Sequence, residues 1–170
     1  LLGVSILLTG AQTIKQTDFS AIFKNLGGDR YYGYTPDWQN YLKMAKHTTN
    51  LPDSTYVACR KPNMARLYAD GKKFYGIYRF HTQNPDSLLD RLHKREVTHV
   101  IVGSLRKNPR KNTGQVINTI HRYFSYIADE YPEIVNLVKK TGEQEPAWLF
   151  KINYDKWTNK PGNTTPETEN

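Results

Sequence analysis

The chain has 170 residues, of which 38% are hydrophobic, and this length and composition suit one folded domain with a buried core. Its formal net charge is +8 and its pI is near 9.5, which favours an anionic partner: a phospholipid surface, a nucleic acid or a phosphorylated ligand. The single cysteine, Cys59, excludes an internal disulfide and a cysteine-rich zinc site. We expect Cys59 to be a small buried strand residue.

The first eleven residues, LLGVSILLTGA, are apolar and begin without Met, which indicates a fragment or a processed form. Eleven residues span only about 16 Å as a helix, far less than the roughly 30 Å hydrocarbon layer of a bilayer. Three interpretations of residues 1–11 stay open: the end of a transmembrane helix, the end of a signal peptide, or an ordinary core segment. The first two place the rest of the chain outside the cytoplasm.

Residues 12–34 are predicted to be a connector that contains one short helix. Apolar residues recur there at helical spacing, and Gly27-Gly28 would end the helix; they are Phe19, Ile22, Phe23 and Leu26. The following residues 29–34, DRYYGY, are aromatic and basic, and they suit either a membrane interface or a packed loop.

An α/β domain is predicted over residues 35–153, and its first helix has a strong start. Thr35 is a good N-cap, Pro36 suits the first helical position, and Asp37 places a negative charge at the positive end of the helix dipole. One face of this helix should pack against a sheet; it carries Trp38, Tyr41, Leu42 and Ala45.

Residues 51–80 predict a strand, a turn, a short helix and a second strand. Tyr56–Cys59 is a short apolar run between breakers, typical of a strand buried on both faces, and Lys73–Phe80 is the second strand. A third strand at Thr98–Gly103 follows a helix that begins at Asn84-Pro85-Asp86, and a strand after a helix of that length favours a parallel crossover.

The C-terminal part predicts a long helix over residues 115–131 and then two strands, at residues 134–139 and 147–152, paired as an antiparallel hairpin. Residues 154–170 have the composition of a flexible tail, although docking of Tyr154 and Trp157 stays open. The expected fold class is therefore α/β, a three-layer α/β/α sandwich with a mostly parallel sheet and an antiparallel C-terminal hairpin.

Two basic groups follow predicted parallel strands and should emerge at the same sheet edge, where open α/β sheets bind ligands. They define a candidate site for an anion or a lipid phosphate: Arg60, Lys61, Arg106, Lys107, Arg110 and Lys111. Neither a Walker loop nor a GxGxxG pattern accompanies them. A specific phosphate ligand, a diffuse membrane-facing patch and a merely solvated loop remain alternatives.

The sequence predicts no catalytic residues, no metal site and no cofactor. The histidines, which are His47, His81, His93, His99 and His121, lack the HExxH spacing of a metal site and are expected to be structural. Turns and helix ends explain the carboxylates Asp53, Asp70, Asp86 and Glu96. The RNP1, KH and helix-turn-helix patterns are missing, which argues against nucleic acid as the partner.

Three phrases and the order of the elements carry a resemblance to a known family. The phrases are LPDSTYVACRKPNMARLYADGKKFYGIYRF (51–80), THVIVGSL (98–105) and EPAWLFKIN (145–153). They resemble the C-terminal soluble domain of bacterial GT-C membrane glycosyltransferases, relatives of dolichyl-phosphate-mannose protein mannosyltransferases and aminoarabinose transferases. LLGVSILLTGA resembles the end of the last transmembrane helix of that family.

The resemblance implies an extracytoplasmic accessory domain of a membrane glycosyltransferase that uses a polyprenyl-phosphate-linked sugar. It implies two partners: the transmembrane part of the same polypeptide, and an anionic lipid surface or lipid-linked sugar phosphate. The family's catalytic acid lies in the membrane part, so the resemblance assigns no catalytic residue to this chain. Two other classes stay open: a free-standing secreted or periplasmic binding protein for an anionic ligand, and a nucleotide- or nucleic-acid-binding module.

Overall fold

The computed structural model describes Gln12 and residues 18–158. The expectations for residues 1–11 and for the end of the tail, residues 159–170, lie outside the described residues. The chain divides into two compact units, with the boundary between Tyr34 and Thr35. Among the described residues, none of the helices combines the length and the apolar character needed to span a bilayer.

The N-terminal unit contains helix α1, Phe19–Leu26, followed by a series of turns up to Tyr34. The Asp18 carboxylate caps the helix by accepting a hydrogen bond from the Ala21 amide at 3.0 Å. The helix ends at Gly27, as the sequence indicates.

The second unit is built on a five-stranded sheet in the order β2-β1-β3-β7-β6. Its strands are β1 Tyr56–Cys59, β2 Lys73–Gly76, β3 His99–Gly103, β6 Val135–Thr141 and β7 Ala147–Ile152, and a separate ribbon pairs β4 Leu105–Arg106 with β5 Val116–Ile117. Strands β2, β1 and β3 are parallel, and β7 is antiparallel to both β3 and β6. The predicted class and the predicted position of β1 inside the sheet are confirmed.

Helices cover both faces of this sheet. Successive side chains of a strand point to opposite faces, so the apolar strands present side chains to be buried on both. The helices are α2 Pro36–His47, α3 Pro62–Tyr68, α4 Pro85–His93, α5 Thr119–Glu130 and α6 Tyr154–Thr158. Helix α2 lies over β3, β6 and β7, while α4 and α5 pack against Val100 and Val102 on the other face. The apolar core thus lies in two layers, one on each side of the sheet.

Three elements have different bounds from the predicted ones. Strand β2 stops at Gly76 rather than Phe80, since its partner β1 ends at Cys59 and the Ile77 amide makes the last bond, to the Cys59 carbonyl. Helix α5 begins at Thr119 because residues 116–117 pair with β4. Strand β6 starts and ends slightly later than predicted and contains a bulge between Leu137 and Lys139.

Residues 154–158, where the sequence left docking open, form α6 and continue the fold. Trp157 is buried, and its Nε1 donates a hydrogen bond to Asp86 Oδ1 at 3.0 Å. The Tyr154 hydroxyl donates to the Val97 carbonyl at 2.8 Å. Both aromatic side chains therefore attach the end of the chain to the ends of α4 and β3.

Candidate functional site

The candidate site is the loop between β4 and β5, residues 107–115, which we call the basic loop. It follows β3 almost directly, since only Ser104 separates β3 from β4. The Lys107 amide donates to the Gln115 carbonyl at 2.8 Å and closes the base of the loop. The basic loop therefore begins beyond the carboxyl end of a central parallel strand, the usual position of ligand loops in open α/β sheets.

Arg106 lies at the entrance of the basic loop, and each of its nitrogen atoms donates a hydrogen bond within the structure. Its Nη1 donates to Asp37 Oδ1 at 2.8 Å, its Nη2 bonds Glu145 Oε1, and its backbone amide donates to Asp37 Oδ2 at 2.6 Å. Its Nε reaches back to the Asn112 carbonyl at 3.2 Å. The hydrogen bond to Glu145 and the adjacent Asp37 raise the pKa of Arg106. Arg106 thus fixes the loop and is not available to an anionic ligand.

The start of α2 supplies two further anchors for the basic loop. Trp38 Nε1 donates to the Arg106 carbonyl at 2.8 Å. The Pro109 carbonyl accepts from the Thr35 amide at 2.8 Å and from the Thr35 hydroxyl at 3.3 Å. Thr35 is the N-cap residue as predicted, but its hydroxyl is used here and makes no capping bond to the helix.

Helix α2 also holds the turn between β6 and β7. Asn40 Nδ2 donates to the Gln144 carbonyl at 2.8 Å and to the Glu145 carbonyl at 3.1 Å. Gly142 has φ +84, and a Cβ at this position would lie 2.2 Å from Asn40 Nδ2. The Asn40 bridge therefore requires glycine at position 142, both for the backbone angle and for the space.

Three basic side chains of the loop remain exposed, namely those of Lys107, Arg110 and Lys111. Within the part of the chain that the structure describes, none of them forms an ion pair. The backbone that carries them is ordered by a local turn, in which Asn108 Oδ1 accepts from the Arg110 amide at 3.0 Å. An open cleft of about 520 Å³ lies along the loop and is lined by Lys107, Asn108, Pro109, Thr113, Gly114 and Gln115.

Arg60 and Lys61 follow β1, which pairs in parallel with β3, so both basic groups lie beyond the carboxyl ends of neighbouring strands. The Arg60 guanidinium lies over the Tyr78 ring at 4.8 Å from the centroid. The Tyr41 hydroxyl fixes the backbone of Lys61, since it donates to the Lys61 carbonyl at 3.2 Å and accepts from the Lys61 amide at 3.3 Å. No hydrogen bond or ion pair among the described residues joins Arg60 or Lys61 to the basic loop.

Burial keeps the Cys59 thiol and the Tyr41 hydroxyl near this edge protonated, and it keeps His99, at the amino end of β3, neutral. Burial raises the pKa of the Cys59 thiol to about 12, and burial also raises the pKa of Tyr41. Burial, with a smaller effect of Lys151, lowers the pKa of His99 to about 4. A thiol with so high a pKa is a poor nucleophile at neutral pH. No group of three His, Cys, Asp or Glu residues that could hold a metal ion occurs among the described residues.

A second open cleft of about 520 Å³, which the sequence gave no sign of, lies at the amino ends of β1 and β2. Two of its basic side chains are bound to backbone carbonyls: Lys72 Nζ donates to Leu51 at 2.7 Å and to Pro52 at 2.8 Å, and Arg66 donates to Phe74 at 2.8 Å. These two cations therefore stabilise the fold, and the basic loop, which has three exposed cations, is the stronger candidate for an anion.

Comparison with known proteins finds a structural likeness to a domain solved from an archaeon, whereas the sequence comparisons find no match. No protein-family model matches the chain, and no curated protein matches it. The C-terminal globular domain of an oligosaccharyltransferase from Archaeoglobus fulgidus aligns with 70% of this chain and 98% of its own, at 15% identity and a TM-score of 0.41. A likeness at this level does not carry an assignment of function.

Proposed function

We propose that the α/β unit is an extracytoplasmic accessory domain of an integral-membrane glycosyltransferase that uses a polyprenyl-phosphate-linked sugar. In this proposal the basic loop faces anionic lipid or the phosphate of the lipid-linked sugar. The observation that carries it is the anchored loop itself: Lys107, Arg110 and Lys111 are exposed beside a cleft, while Arg106 is fully engaged in holding the loop.

The sequence resemblance supports the same proposal. Its three phrases, residues 51–80, 98–105 and 145–153, supply β1, β2, β3 and β7, which are neighbours in the sheet. The resemblance thus rests on segments that form the centre of the fold. Under the proposal, residues 1–11 are the end of a transmembrane helix, and the transmembrane part of the same polypeptide is the domain's main partner.

The physical role of the basic loop would be attraction to negative charge. A basic side chain close to an anionic membrane surface contributes about 1 kcal/mol of binding free energy. Three such side chains on one loop would strengthen binding to anionic vesicles by roughly a hundredfold. The proposal assigns binding and orientation to this domain, and it places the sugar-transfer chemistry in the membrane part.

A vesicle-binding comparison tests the role of the loop. The first variant is Lys107→Ser, Arg110→Ser and Lys111→Ser in the full chain. The matched variant is Lys73→Ser, Lys94→Ser and Arg95→Ser, which removes the same charge from exposed positions at the start of β2 and before β3, at the opposite end of the strands. Flotation with vesicles rich in phosphatidylserine at low salt measures the affinity of each.

We expect the loop variant to lose about a hundredfold in affinity and the matched variant to lose much less. Equal losses would mean that only net charge matters, and the loop would no longer be a site.

The encoding reading frame separates the broader classes. Several apolar spans of about 20 residues upstream favour a membrane glycosyltransferase, whereas a lone signal peptide favours a free-standing binding protein for an anionic ligand.

A further inference from the structure

Helix α1 exposes its apolar side chains instead of burying them. Phe19 is 48% exposed, Ile22 43%, Phe23 69% and Leu26 79%, whereas Ala21 is the buried residue of the helix at 3%. At about 100° per residue, the four large side chains fall within a single stripe roughly 100° wide, and Ala21 lies on the other side of the helix. The apolar stripe of α1 is therefore exposed to solvent.

An amphipathic helix of a globular protein normally turns its apolar stripe towards the core. Here Phe23 and Leu26 lie next to each other on the helix surface, one turn apart, and both are largely in water. Contiguous exposed apolar patches mark sites of interaction with proteins or membranes. The stripe is therefore a candidate contact surface for an apolar partner.

A second copy of the chain is a poor occupant because the stripe is too small. Large apolar side chains offer roughly 150–250 Å² each when fully exposed, so four that are about half exposed offer about 400 Å². A standard protein interface buries about 800 Å² per partner. A lipid surface sets no such minimum, since each inserted side chain gains hydrophobic free energy on its own.

The neighbouring sequence also suits a lipid–water interface. Three tyrosines follow the helix within residues 31–34, and Tyr is enriched where membranes meet water. Lys24, which lies outside the stripe, places its Nζ 4.2 Å from the centre of the Tyr32 ring. The strongly apolar residues 1–11 precede the helix by only seven residues.

We propose that α1 is an interfacial helix that lies along the surface of a phospholipid bilayer and inserts Phe19, Ile22, Phe23 and Leu26 among the acyl chains. The attraction is hydrophobic, so it requires neither anionic lipid nor the basic loop. This proposal goes beyond the glycosyltransferase assignment and does not rest on it. Any bilayer with accessible acyl chains is a suitable partner.

Fluorescent labelling of single positions tests the direction of insertion. Phe23→Cys, Leu26→Cys and the control Ser20→Cys are made in the full chain, and each is labelled with an environment-sensitive dye. Cys59 is fully buried and its thiol has a raised pKa, so it should not compete for the label. The probe is vesicles of phosphatidylcholine alone at about 1 M salt, where the Debye length is roughly 3 Å and charge attraction is suppressed.

We expect dyes at positions 23 and 26 to shift to shorter wavelength and to become protected from aqueous iodide when vesicles are added. The dye at exposed Ser20, outside the stripe, should change at least severalfold less. Equal changes at all three positions, or no change at 23 and 26, would overturn the proposal. Failure of this test leaves the basic-loop test unaffected, because that test depends on anionic lipid and low salt.

Discussion

Arg106, the last residue of β4, holds the entrance of the basic loop in place. Its side chain is bound by two carboxylates and a carbonyl, and one of those carboxylates, on Asp37, is itself almost completely buried. A buried carboxylate needs a charged partner, so Arg106 cannot leave this position without a large cost. Arg106 therefore ties the entrance of the loop to α2, and the cations beyond it, Lys107, Arg110 and Lys111, are exposed.

His99 should make the stability of the α/β unit depend on pH. Its pKa is lowered to about 4 in the folded chain, mainly by burial, against about 6.5 in the unfolded chain. Above pH 6.5 both states hold neutral imidazole, so the group has no effect. As the pH falls from about 6.5 to about 4, the unfolded chain takes up a proton that the folded chain does not, and the free energy of unfolding falls.

The free energy of unfolding should fall between pH 7 and pH 4.5, and we expect this fall to be about 1–2 kcal/mol smaller in His99→Gln than in the unchanged chain. The full shift in pKa would correspond to roughly 3 kcal/mol, but solvent reaches this part of the sheet, as exposed Lys151 shows, and screens the effect. Urea unfolding of both proteins at the two pH values measures it. Identical pH dependence in the variant would show that His99 titrates normally in the folded chain.

At the scale of elements, side chains and a backbone amide at the start of α2 hold two neighbouring loops by hydrogen bonds. Trp38 and Thr35 hold the basic loop, and Asn40 holds the turn between β6 and β7. The ribbon of β4 and β5 has only two residue pairs of its own. The conformation of the basic loop therefore depends on α2 more than on its own pairing.

Trp38→Phe should loosen the basic loop by removing the indole donor to the Arg106 carbonyl. We expect a loss of about 1–3 kcal/mol of stability, from one hydrogen bond and a smaller side chain. We also expect at least tenfold faster hydrogen exchange at the Lys107 amide, which closes the base of the loop. Trp157→Phe is the matched control, since Trp157 is also buried and also donates its Nε1 hydrogen, to Asp86. Similar exchange rates at the Lys107 amide in both variants would contradict the claim that Trp38 holds the basic loop.

Local signals in the sequence were enough for the parallel direction of β1, β2 and β3 and for the starts of α2 and α4. The Thr35-Pro36 and Asn84-Pro85 signatures act within one helical turn, and both helices begin where predicted. The charge partners of Arg106 could not be predicted in this way, because Asp37 is 69 residues away and Glu145 is 39. Pairing between such distant residues is set by the tertiary fold and leaves no local pattern.

At the scale of the whole molecule, the two proposals place a membrane contact in each of the two compact units. The basic loop, in the second unit, would act through charge and weaken with salt. Helix α1, in the first unit, would act through apolar surface and persist in salt. Cutting the chain at the unit boundary therefore separates the basic loop from the N-terminal unit, which contains both residues 1–11 and α1.

A chain that begins at Tyr34 should keep the first behaviour and lose the second. Starting at Tyr34 retains the Thr35 amide, which donates to the Pro109 carbonyl and helps to hold the basic loop. Because the second unit is compact by itself, we expect cooperative urea unfolding of the shortened chain. Flotation should show salt-sensitive binding to phosphatidylserine vesicles at nearly the affinity of the full chain, and no binding to phosphatidylcholine vesicles at about 1 M salt. If the folded shortened chain still bound neutral vesicles in high salt, the apolar contact would lie in the α/β unit and not in α1. If it lost binding to anionic vesicles as well, the exposed cations of the basic loop would not be sufficient to hold the domain at a membrane.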